Sequence, residues 1–322
     1  MKLGVLTVLY QQLDRTEALD KIAALGVDAV ELGTGNYPGA HHCDPDVLLG
    51  DDDERSKLLK EVADRDLIIS ALSCHGNPLH PDEAVAAPAH DIWRKTAQLA
   101  NELEIPVVNC FSGCPGDYPG ARYPNWVTCA WPEDYRNILE WQWNERLIPY
   151  WQEEAEFATS LGTRIAFEMH PGFAVYNPET LLRLRDAAGE AIGANFDPSH
   201  LFWQGIDPVE AIKLLGARDA IFHFHAKDTY VDAANVRVNG VLDTKPYDKG
   251  SERSWTFRTV GYGHGETVWR DQISALRAAG YDYVLSIEHE DALMSMDEGL
   301  AKAVAFLTPL LIREQPAEMW WT

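Results

Sequence analysis

The sequence predicts a single (β/α)8 barrel, the TIM-barrel class of α/β fold, on three observations. Eight short apolar runs alternate along the 322 residues with eight stretches whose apolar residues recur at helical spacing. The short runs are apolar almost throughout, which is typical of parallel strands covered on both faces. No Gly-x-Gly-x-x-Gly motif follows a strand and opens a helix, so the main support for a doubly wound dinucleotide-binding sheet is missing. Eight strand–helix units in a chain of this length fit a closed barrel better.

The first half of the chain contains four of these units. The run KLGVLTV (2–8) is predicted as a buried strand, and the helix at 14–25 has apolar residues at helical spacing and stops at Gly26. The next three units are VDAVELG (27–33) with a helix at 53–65, LIISALSC (67–74) with a helix at 89–103, and PVVNCF (106–111) with a helix near 145–161.

The second half repeats the alternation. Its units are TRIAFEM (163–169) with a helix from about 178, AIGANFD (191–197) with a helix at 207–216, AIFHFHA (220–226) with a helix at 266–279, and YDYVLSIE (281–288) with a helix at 297–312. Because the chain has no internal repeat and no low-complexity linker, we predict one barrel domain over 1–314 and a short C-terminal tail at 315–322.

Two connections are long, and both leave the C-terminal ends of strands, where barrels carry their functional sites. Residues 112–144 follow strand 4 and are rich in aromatic side chains, which suit sugar rings or an aryl aglycone. Residues 228–264 follow strand 7 and are polar, with basic residues against an acidic background. Long loops at this face are more often functional than decorative, although the aromatic one suits a subunit contact equally well.

The charge balance argues against several classes of partner. Fifty Asp and Glu residues against 27 Lys and Arg give a formal charge of −23. Such a surface repels nucleic acid and anionic membranes and, less strongly, a phosphorylated substrate. The N-terminus lacks a signal-peptide pattern, no run reaches the roughly 18 apolar residues of a membrane span, and the five cysteines lack metal-site spacing. We therefore expect a cytoplasmic protein with reduced thiols.

Four successive predicted strands offer residues that bind metal ions. Glu168, Asp197 and Glu288 end strands 5, 6 and 8, and strand 7 carries His223 and His225. Neighbouring strands of a barrel lie close enough for such side chains to converge on one ion. Three carboxylates and one imidazole suit Mn²⁺, Mg²⁺ or Co²⁺ and leave coordination positions for substrate oxygens.

Strand geometry distinguishes the two histidines. His223 and His225 share one face of the strand because side chains alternate along it. His225 is two residues nearer the C-terminal mouth, about 6–7 Å at the usual strand rise, and is therefore predicted as the ligand. His223 is predicted one layer deeper. By the same parity His170 follows Glu168, and Glu290 follows Glu288, one step nearer to solvent and substrate.

These residues resemble the signature of the sugar isomerase/epimerase superfamily, whose barrels are related to xylose isomerase and to endonuclease IV. The resemblance covers nearly the whole chain and rests on Glu168, Asp197-x-x-His200, His225-x-Lys227-Asp228 and Glu288. It implies that the four predicted ligands, Glu168, Asp197, His225 and Glu288, hold one divalent ion, manganese before magnesium or cobalt. It also implies that His200 and Lys227 approach the substrate, and that His75, which ends strand 3, faces the pocket.

The endonuclease branch of this superfamily fits poorly. That branch uses further histidines for extra zinc ions, whereas strand 4 ends in VNCFSG without a histidine. The formal charge of −23 also opposes DNA.

The chemistry that the resemblance implies is proton abstraction next to a carbonyl. An ion with open positions chelates adjacent carbonyl and hydroxyl oxygens and stabilises an enediolate. In the ketose epimerases that this chain resembles, the glutamates matching Glu168 and Glu288 are the two bases, one on each face of the substrate. We therefore predict a metal-dependent sugar isomerase or epimerase with Glu168 and Glu288 catalytic, and with His75, His170, His200 and Lys227 binding the substrate.

Other functions and assemblies stay open at this point. One alternative is a lyase that cleaves the glycosidic bond of 3-oxo-glucosides through the same enediolate chemistry, a reaction that in relatives often involves a small partner subunit. The other is a sugar-binding barrel without catalysis. The expected ligand in each case is a small carbohydrate, and the expected assembly is a homo-oligomer or a complex with a small subunit.

Overall fold

Eight parallel strands close into a barrel, which confirms the predicted fold. The computed structural model describes residues 1–319 and 321. The strands are β1 (Lys2–Leu6), β2 (Ala29–Gly33), β3 (Ile68–Ser73), β4 (Val107–Cys110), β5 (Arg164–Glu168), β6 (Ile192–Phe196), β7 (Ile221–Ala226), β8 (Asp228–Val231), β9 (Trp255–Arg258) and β10 (Val284–Ile287). Strands β1 to β7 pair in sequence order, and β10 closes the barrel between β7 and β1, with Lys2 opposite Val284. Because all eight strands are parallel, their C-terminal ends meet at one rim.

Helices surround the barrel and begin mostly at polar caps. They are α1 (Arg15–Ala23), α2 (Pro45–Leu48), α3 (Asp52–Ala63), α4 (Glu83–Glu102), α5 (Glu133–Trp141), α6 (Ile148–Ser160), α7 (Pro178–Ala188), α8 (Pro198–Phe202), α9 (Pro208–Gly216), α10 (Ala233–Asn239), α11 (Glu266–Ala278) and α12 (Met296–Leu307). Asp14 and Asn177, for example, accept backbone hydrogen bonds from the first turns of α1 and α7. The apolar core lies between helices and sheet, as where Trp151 of α6 packs edge-on against Phe167 of β5 with ring centroids 4.5 Å apart.

The connection predicted at 112–144 is partly helical. The helix α5 begins at Glu133 and continues through a π-helical segment, Gln142–Leu147, directly into α6. The helical segment expected near 145–161 therefore begins earlier than predicted, at Glu133, about two thirds of the way along the predicted loop. No residue of α5 is fully buried, and Leu139 packs only partly buried against the core, so this helix lies at the surface of the barrel.

The connection at 228–264 contains its own small sheet. Strands β8 and β9 pair antiparallel, with Asp228 opposite Arg258 and Val231 opposite Trp255. The carboxylate of Asp228 accepts backbone hydrogen bonds from Gly261, Gly263 and His264, at 3.0, 3.1 and 2.9 Å. One side chain at the start of the connection thus holds its far end.

The barrel interior beneath the C-terminal rim is polar. Seven side chains there are completely buried: Glu31, Ser70, Ser73, Asn109, Asn195, His223 and Ser286. They hydrogen-bond one another, as in the 2.8 Å bond from Asn109 Nδ2 to Glu31 Oε1 and the 2.6 Å bond from Ser286 Oγ to Glu31 Oε2. Buried polar groups are tolerated when paired in this way, and in this layer only Asn109 Oδ1 and Asn195 Nδ2 have no hydrogen-bond partner among the described residues, so the layer forms a polar floor under the rim.

Among residues 1–319 and 321, no helix combines the length and apolarity required to cross a bilayer. The domain bounds at 1–314 stay a prediction. Part of the predicted tail, Trp320 and Thr322, lies outside the described residues.

Candidate metal centre

The four side chains predicted as ligands meet at the C-terminal rim. Glu168 is the last residue of β5 and His225 the fifth of β7, whereas Asp197 and Glu288 directly follow β6 and β10. Each contributes one donor atom to a group in which all four atoms lie within 4.8 Å of one another. Glu168, Asp197 and His225 are buried and Glu288 is half-buried, so the group lies at the bottom of the rim.

Three of these donor atoms are buried and make no hydrogen bond of ordinary geometry among the described residues, although charged side chains lie close to each of them. They are Asp197 Oδ2, His225 Nδ1 and Glu288 Oε2. His225 Nδ1 lies 3.0 Å from Glu288 Oε2 and 3.2 Å from Glu168 Oε2. A buried polar atom without a partner costs about 1–3 kcal/mol, and here several aim at one point. A divalent cation would satisfy them together, so the residues fit a metal ion.

Local structure fixes which oxygen of Asp197 faces this point. Asp197 caps the short helix α8, and its Oδ1 accepts a 2.7 Å hydrogen bond from the backbone N–H of Ser199. The cap holds the side chain in one rotamer and leaves Oδ2 directed at the centre.

A carboxylate that the sequence analysis missed orients His225. Both oxygens of Glu31 lie close to His225 Nε2, at 2.9 and 3.0 Å. When Nε2 carries the proton and donates to Glu31, the lone pair is on Nδ1, the atom that faces Glu168 and Glu288. A carboxylate behind a metal-binding histidine is a common arrangement that sets the tautomer and strengthens the ligand.

The electrostatics of this region call for a positive charge. Burial alone would raise the pKa of Glu31, but the charges of His225 and His223 and the hydrogen bonds from His225 and Ser286 lower it. Burial alone would lower the pKa of His225, but the charges of Glu31 and Glu288 raise it well above its usual value. Carboxylates therefore outnumber cations here, and a bound divalent ion would supply the charge that a proton on His225 otherwise provides.

His223 lies one layer deeper than His225. Its Nδ1 is 3.1 Å from Asn195 Oδ1, and its Nε2 is 3.1 Å from Ser70 Oγ. Glu31, His223 and His225 also present donor atoms within 4.8 Å of one another. Both nitrogens of His223 are engaged with neighbours, however, and burial lowers the pKa of this histidine to about 4. Neutral, paired and buried, His223 belongs to the polar floor.

Two further histidines contact Glu168. His200 Nε2 lies 3.0 Å from Oε1 of Glu168, and His75 Nε2 lies 3.0 Å from Oε2. Burial alone would raise the pKa of Glu168, but hydrogen bonds from His200, His225 and His75 lower it well below its usual value. The carboxylate of Glu168 is thereby kept ionised and held on both sides.

The ammonium group of Lys227 lies among three carboxylates of the rim. Its Nζ lies 2.8 Å from Glu290, 3.3 Å from Glu288 and 3.9 Å from Asp197. Burial alone would raise the pKa of Glu288, but the charges of Lys227 and His225 together with a hydrogen bond from His225 lower it to about 2. Lys227 is therefore a fixed cation beside an ionised glutamate.

A cavity of about 410 Å³ opens above these groups, and we call it the inner cavity. Its polar lining comprises His75, Glu168, His170, Lys227, Glu288 and Glu290. Leu6, Val8, Tyr37, Pro38, Phe111 and Phe173 form its apolar lining. His170 has a pKa lowered to about 3, chiefly by burial. His200, predicted to approach the substrate, is 1% exposed and lies beneath this lining against Glu168.

The aromatic residues of 112–144 lie elsewhere. Tyr118, Tyr123 and Trp131 are exposed, and Trp143 is buried against Arg183, whose guanidinium carbon is 4.0 Å from the ring centroid. The aromatic walls of the inner cavity come instead from Tyr37, Phe111 and Phe173.

Relatives share both sequence and architecture with this chain. The uncharacterized protein YfiH of Bacillus subtilis is 37% identical over 310 residues, which is 95% of this chain and 98% of YfiH. The solved structure of the probable 3-DHS dehydratase AsbF of Bacillus anthracis has a TM-score of 0.67 at 17% identity, over 96% of this chain and 99% of that one. A D-tagatose 3-epimerase-like protein has a TM-score of 0.63 at 21% identity, over 96% and 98%. At such identities the two structures show a shared fold.

The family comparison agrees with the barrel topology. Residues 19–310 match the family described as the xylose isomerase-like TIM barrel. This match covers most of the chain, and the YfiH relationship extends over nearly all of it. The chain therefore belongs to the xylose isomerase-like TIM barrel family.

Proposed function

We propose that the protein is a divalent-metal-dependent isomerase or epimerase acting on a small keto-sugar. The observation that carries this proposal is the convergence of one donor atom each from Glu168, Asp197, His225 and Glu288, which all lie within 4.8 Å of one another at the bottom of the rim. Three carboxylates and an imidazole hold hard or borderline ions, and we assign Mn²⁺ first, with Mg²⁺ or Co²⁺ as alternatives. When bound, the ion would polarise a substrate carbonyl as a Lewis acid.

The two glutamates act as the acid–base pair. One oxygen of each lies close to His225 Nδ1, at 3.2 Å for Glu168 and 3.0 Å for Glu288. One carboxylate takes the proton from the carbon next to the carbonyl, and the C–H electrons move to the carbonyl oxygen. In an isomerisation the first glutamate, now protonated, returns this proton to the neighbouring carbon, whereas in an epimerisation the second glutamate delivers a proton taken up from solvent to the opposite face. Proton exchange with solvent then restores both groups.

Neighbouring side chains prepare this pair. His75 and His200 hold the two oxygens of Glu168, and Lys227 lies beside Glu288. The ammonium of Lys227 also offers a positive charge to an oxygen that becomes anionic. The rings of Phe111 and Phe173 stack with centroids 4.2 Å apart and exclude water from one side of the inner cavity.

Bulk properties and relatives support a neutral carbohydrate. The formal charge of −23 disfavours phosphorylated substrates, and the solved D-tagatose 3-epimerase-like protein has the same fold. YfiH matches 95% of this chain, but its name gives no activity, so the substrate assignment rests on the site itself.

Metal analysis and isotope exchange test the proposal. We expect the purified protein to bind one divalent ion and to exchange the hydrogen next to the carbonyl of ketoses in D₂O. Glu168→Gln and Glu288→Gln should abolish exchange, whereas Glu153→Gln, at a side chain 73% exposed on α6, should not. Exchange without a metal, or in both glutamine variants, would refute the proposal. Incubation with 3-oxo-glucosides in the same assay distinguishes the lyase alternative, because a lyase releases the aglycone.

A further inference from the structure

A second and larger cavity opens beside the inner cavity. It has a volume of about 660 Å³ and is lined by parts of the 228–264 connection and by the turn that follows β10. We call it the outer cavity. His170 and Glu290 line both cavities, so the two spaces adjoin at these side chains.

The ring of Phe257 on β9 lies close to the junction of the two cavities. Phe257 lines the outer cavity, while Lys227 Nζ of the inner cavity lies 4.3 Å from its ring centroid. The ring of His200 packs edge-on against the same ring, with centroids 5.3 Å apart. A ligand in the outer cavity would therefore lie one aromatic ring away from the candidate catalytic groups.

Aromatic side chains dominate one wall of the outer cavity. Tyr247 stacks on Phe257 with centroids 5.9 Å apart, and Tyr230 and Trp255 continue the surface. Trp255 is fixed from behind by Trp203, with centroids 4.6 Å apart and ring planes 6° from parallel. Such a preformed, rigid aromatic wall favours a flat ligand because little ordering is required on binding.

The arginines on this wall are already engaged. Arg253 is 2% exposed and donates to the carbonyl oxygens of Trp255 and Lys245. Arg258 Nε lies 3.1 Å from Asp291 Oδ2. Because the lining also contains Asp232, Glu290 and Asp291, the two guanidinium groups create no excess of positive charge, and the outer cavity favours an uncharged group over an anion.

We propose that the outer cavity binds a flat, uncharged aromatic substituent carried by the sugar whose reacting carbons lie in the inner cavity. This inference rests on the proposed function for the position of the sugar. Small-molecule sites usually measure about 300–1,000 Å³, so the inner cavity alone accommodates a simple ketose and the outer cavity provides space for a second group. The substrate class is accordingly an aryl-substituted sugar.

Binding of two matched glucosides tests this inference. Calorimetric titration would compare methyl β-D-glucopyranoside with 4-nitrophenyl β-D-glucopyranoside, which differ only in the substituent. We expect the aryl glucoside to bind about tenfold more tightly, as one stacked aromatic group allows. Equal affinities would overturn the inference, and so would cellobiose binding as tightly as the aryl glucoside, since the cavity would then select a second sugar ring.

Variants test whether the difference in affinity between the two glucosides arises in the outer cavity. Ser251→Trp fills the outer cavity from its exposed rim, and Tyr247→Ala removes a wall side chain that is 56% exposed. Both should reduce the affinity for the aryl glucoside to that for the methyl glucoside. Tyr123→Ala, at a tyrosine that is 66% exposed and lies outside both linings, should retain the contrast. A contrast that survives both cavity variants would overturn the inference.

The proposed function fails independently of this result. An aryl contrast that persists after chelation, in a protein without metal-dependent D₂O exchange on ketoses, would support the outer cavity and refute the isomerase. Metal-dependent exchange without a difference in affinity between the two glucosides would support the isomerase and refute the role of the outer cavity.

Discussion

Replacing Glu31 by Gln would remove one charge from beneath the candidate metal centre while nearly preserving the volume of the side chain. The carboxylate of Glu31 accepts hydrogen bonds from His225 Nε2, Asn109 Nδ2 and the hydroxyls of Ser73 and Ser286. A glutamine offers one oxygen where the carboxylate offers two, and its NH₂ group cannot accept from His225. The variant is therefore expected to weaken the preference of His225 for the tautomer with its lone pair on Nδ1.

The size of the effect follows from this geometry. Loss of the group behind a metal-binding histidine typically lowers metal affinity by about 10–100-fold, which corresponds to about 1.4–2.7 kcal/mol. We expect a loss in this range because Glu31 is completely buried and unscreened by solvent. The four ligands themselves stay in place, so binding should weaken without disappearing.

A competition titration of Mn²⁺ between the protein and a fluorescent chelator, at fixed neutral pH, measures this loss. Ser286→Ala is the matched control because it deletes one 2.6 Å hydrogen bond to Glu31 but leaves the charge and the contact with His225. Its effect on affinity should be the smaller one. Unchanged Mn²⁺ affinity in a folded Glu31→Gln protein, verified by circular dichroism, would show that Glu31 does not act through His225.

Three further outcomes are expected. Lys227→Met should lower the rate of D₂O exchange about 10²–10³-fold while metal content is retained, because the fixed positive charge beside Glu288 is lost; exchange at the normal rate would contradict this role. When the free metal concentration is 100 times the dissociation constant, removing the metal with a chelator should reduce the free energy of unfolding by about 2.7 kcal/mol. An unchanged melting temperature in calorimetry would exclude a tightly bound ion. Gly193→Ala should cost about 1–3 kcal/mol of stability, since its Cβ would lie 2.5 Å from the ring of Phe222. Gly50→Ala, with its nearest contact at 3.8 Å, should leave thermal unfolding nearly unchanged, and equal losses in both variants would refute the packing argument.

Much of the barrel could be predicted because local patterns encode it. The run IFHFHA is apolar apart from its histidines and lies within β7, and the depth argument placed His225 above His223, as the structure has them. Likewise Asp197 could be assigned to the rim because the apolar run AIGANFD ends with it, whereas the short helix that begins at Pro198 was not predicted. In each case the information lies within a few consecutive residues.

Glu31 shows what local patterns leave out. It is one charge in an apolar strand, and its partners Ser73, Asn109, His225 and Ser286 come from four other strands. Only the closed barrel brings them together, so the sole local signal was a buried charge that required a partner.

The outer cavity was hidden for a similar reason. Strands β8 and β9 are four residues each and are separated by 23 residues of polar sequence, 232–254, so their pairing leaves little trace in hydrophobic periodicity. The sequence predicted an aromatic binding surface in residues 112–144, whereas the aromatic wall of the outer cavity is formed by the later connection, 228–264.

The single carboxylate of Asp228 gives the 228–264 connection an evolutionary property. Because both ends of the connection are fastened at this one residue, the chain between them can lengthen, shorten or change composition without moving β7. Doubling such a closed segment costs only about 0.6 kcal/mol of chain entropy. Insertions or deletions in this connection can therefore change the lining of the outer cavity while the positions of the candidate metal ligands are kept.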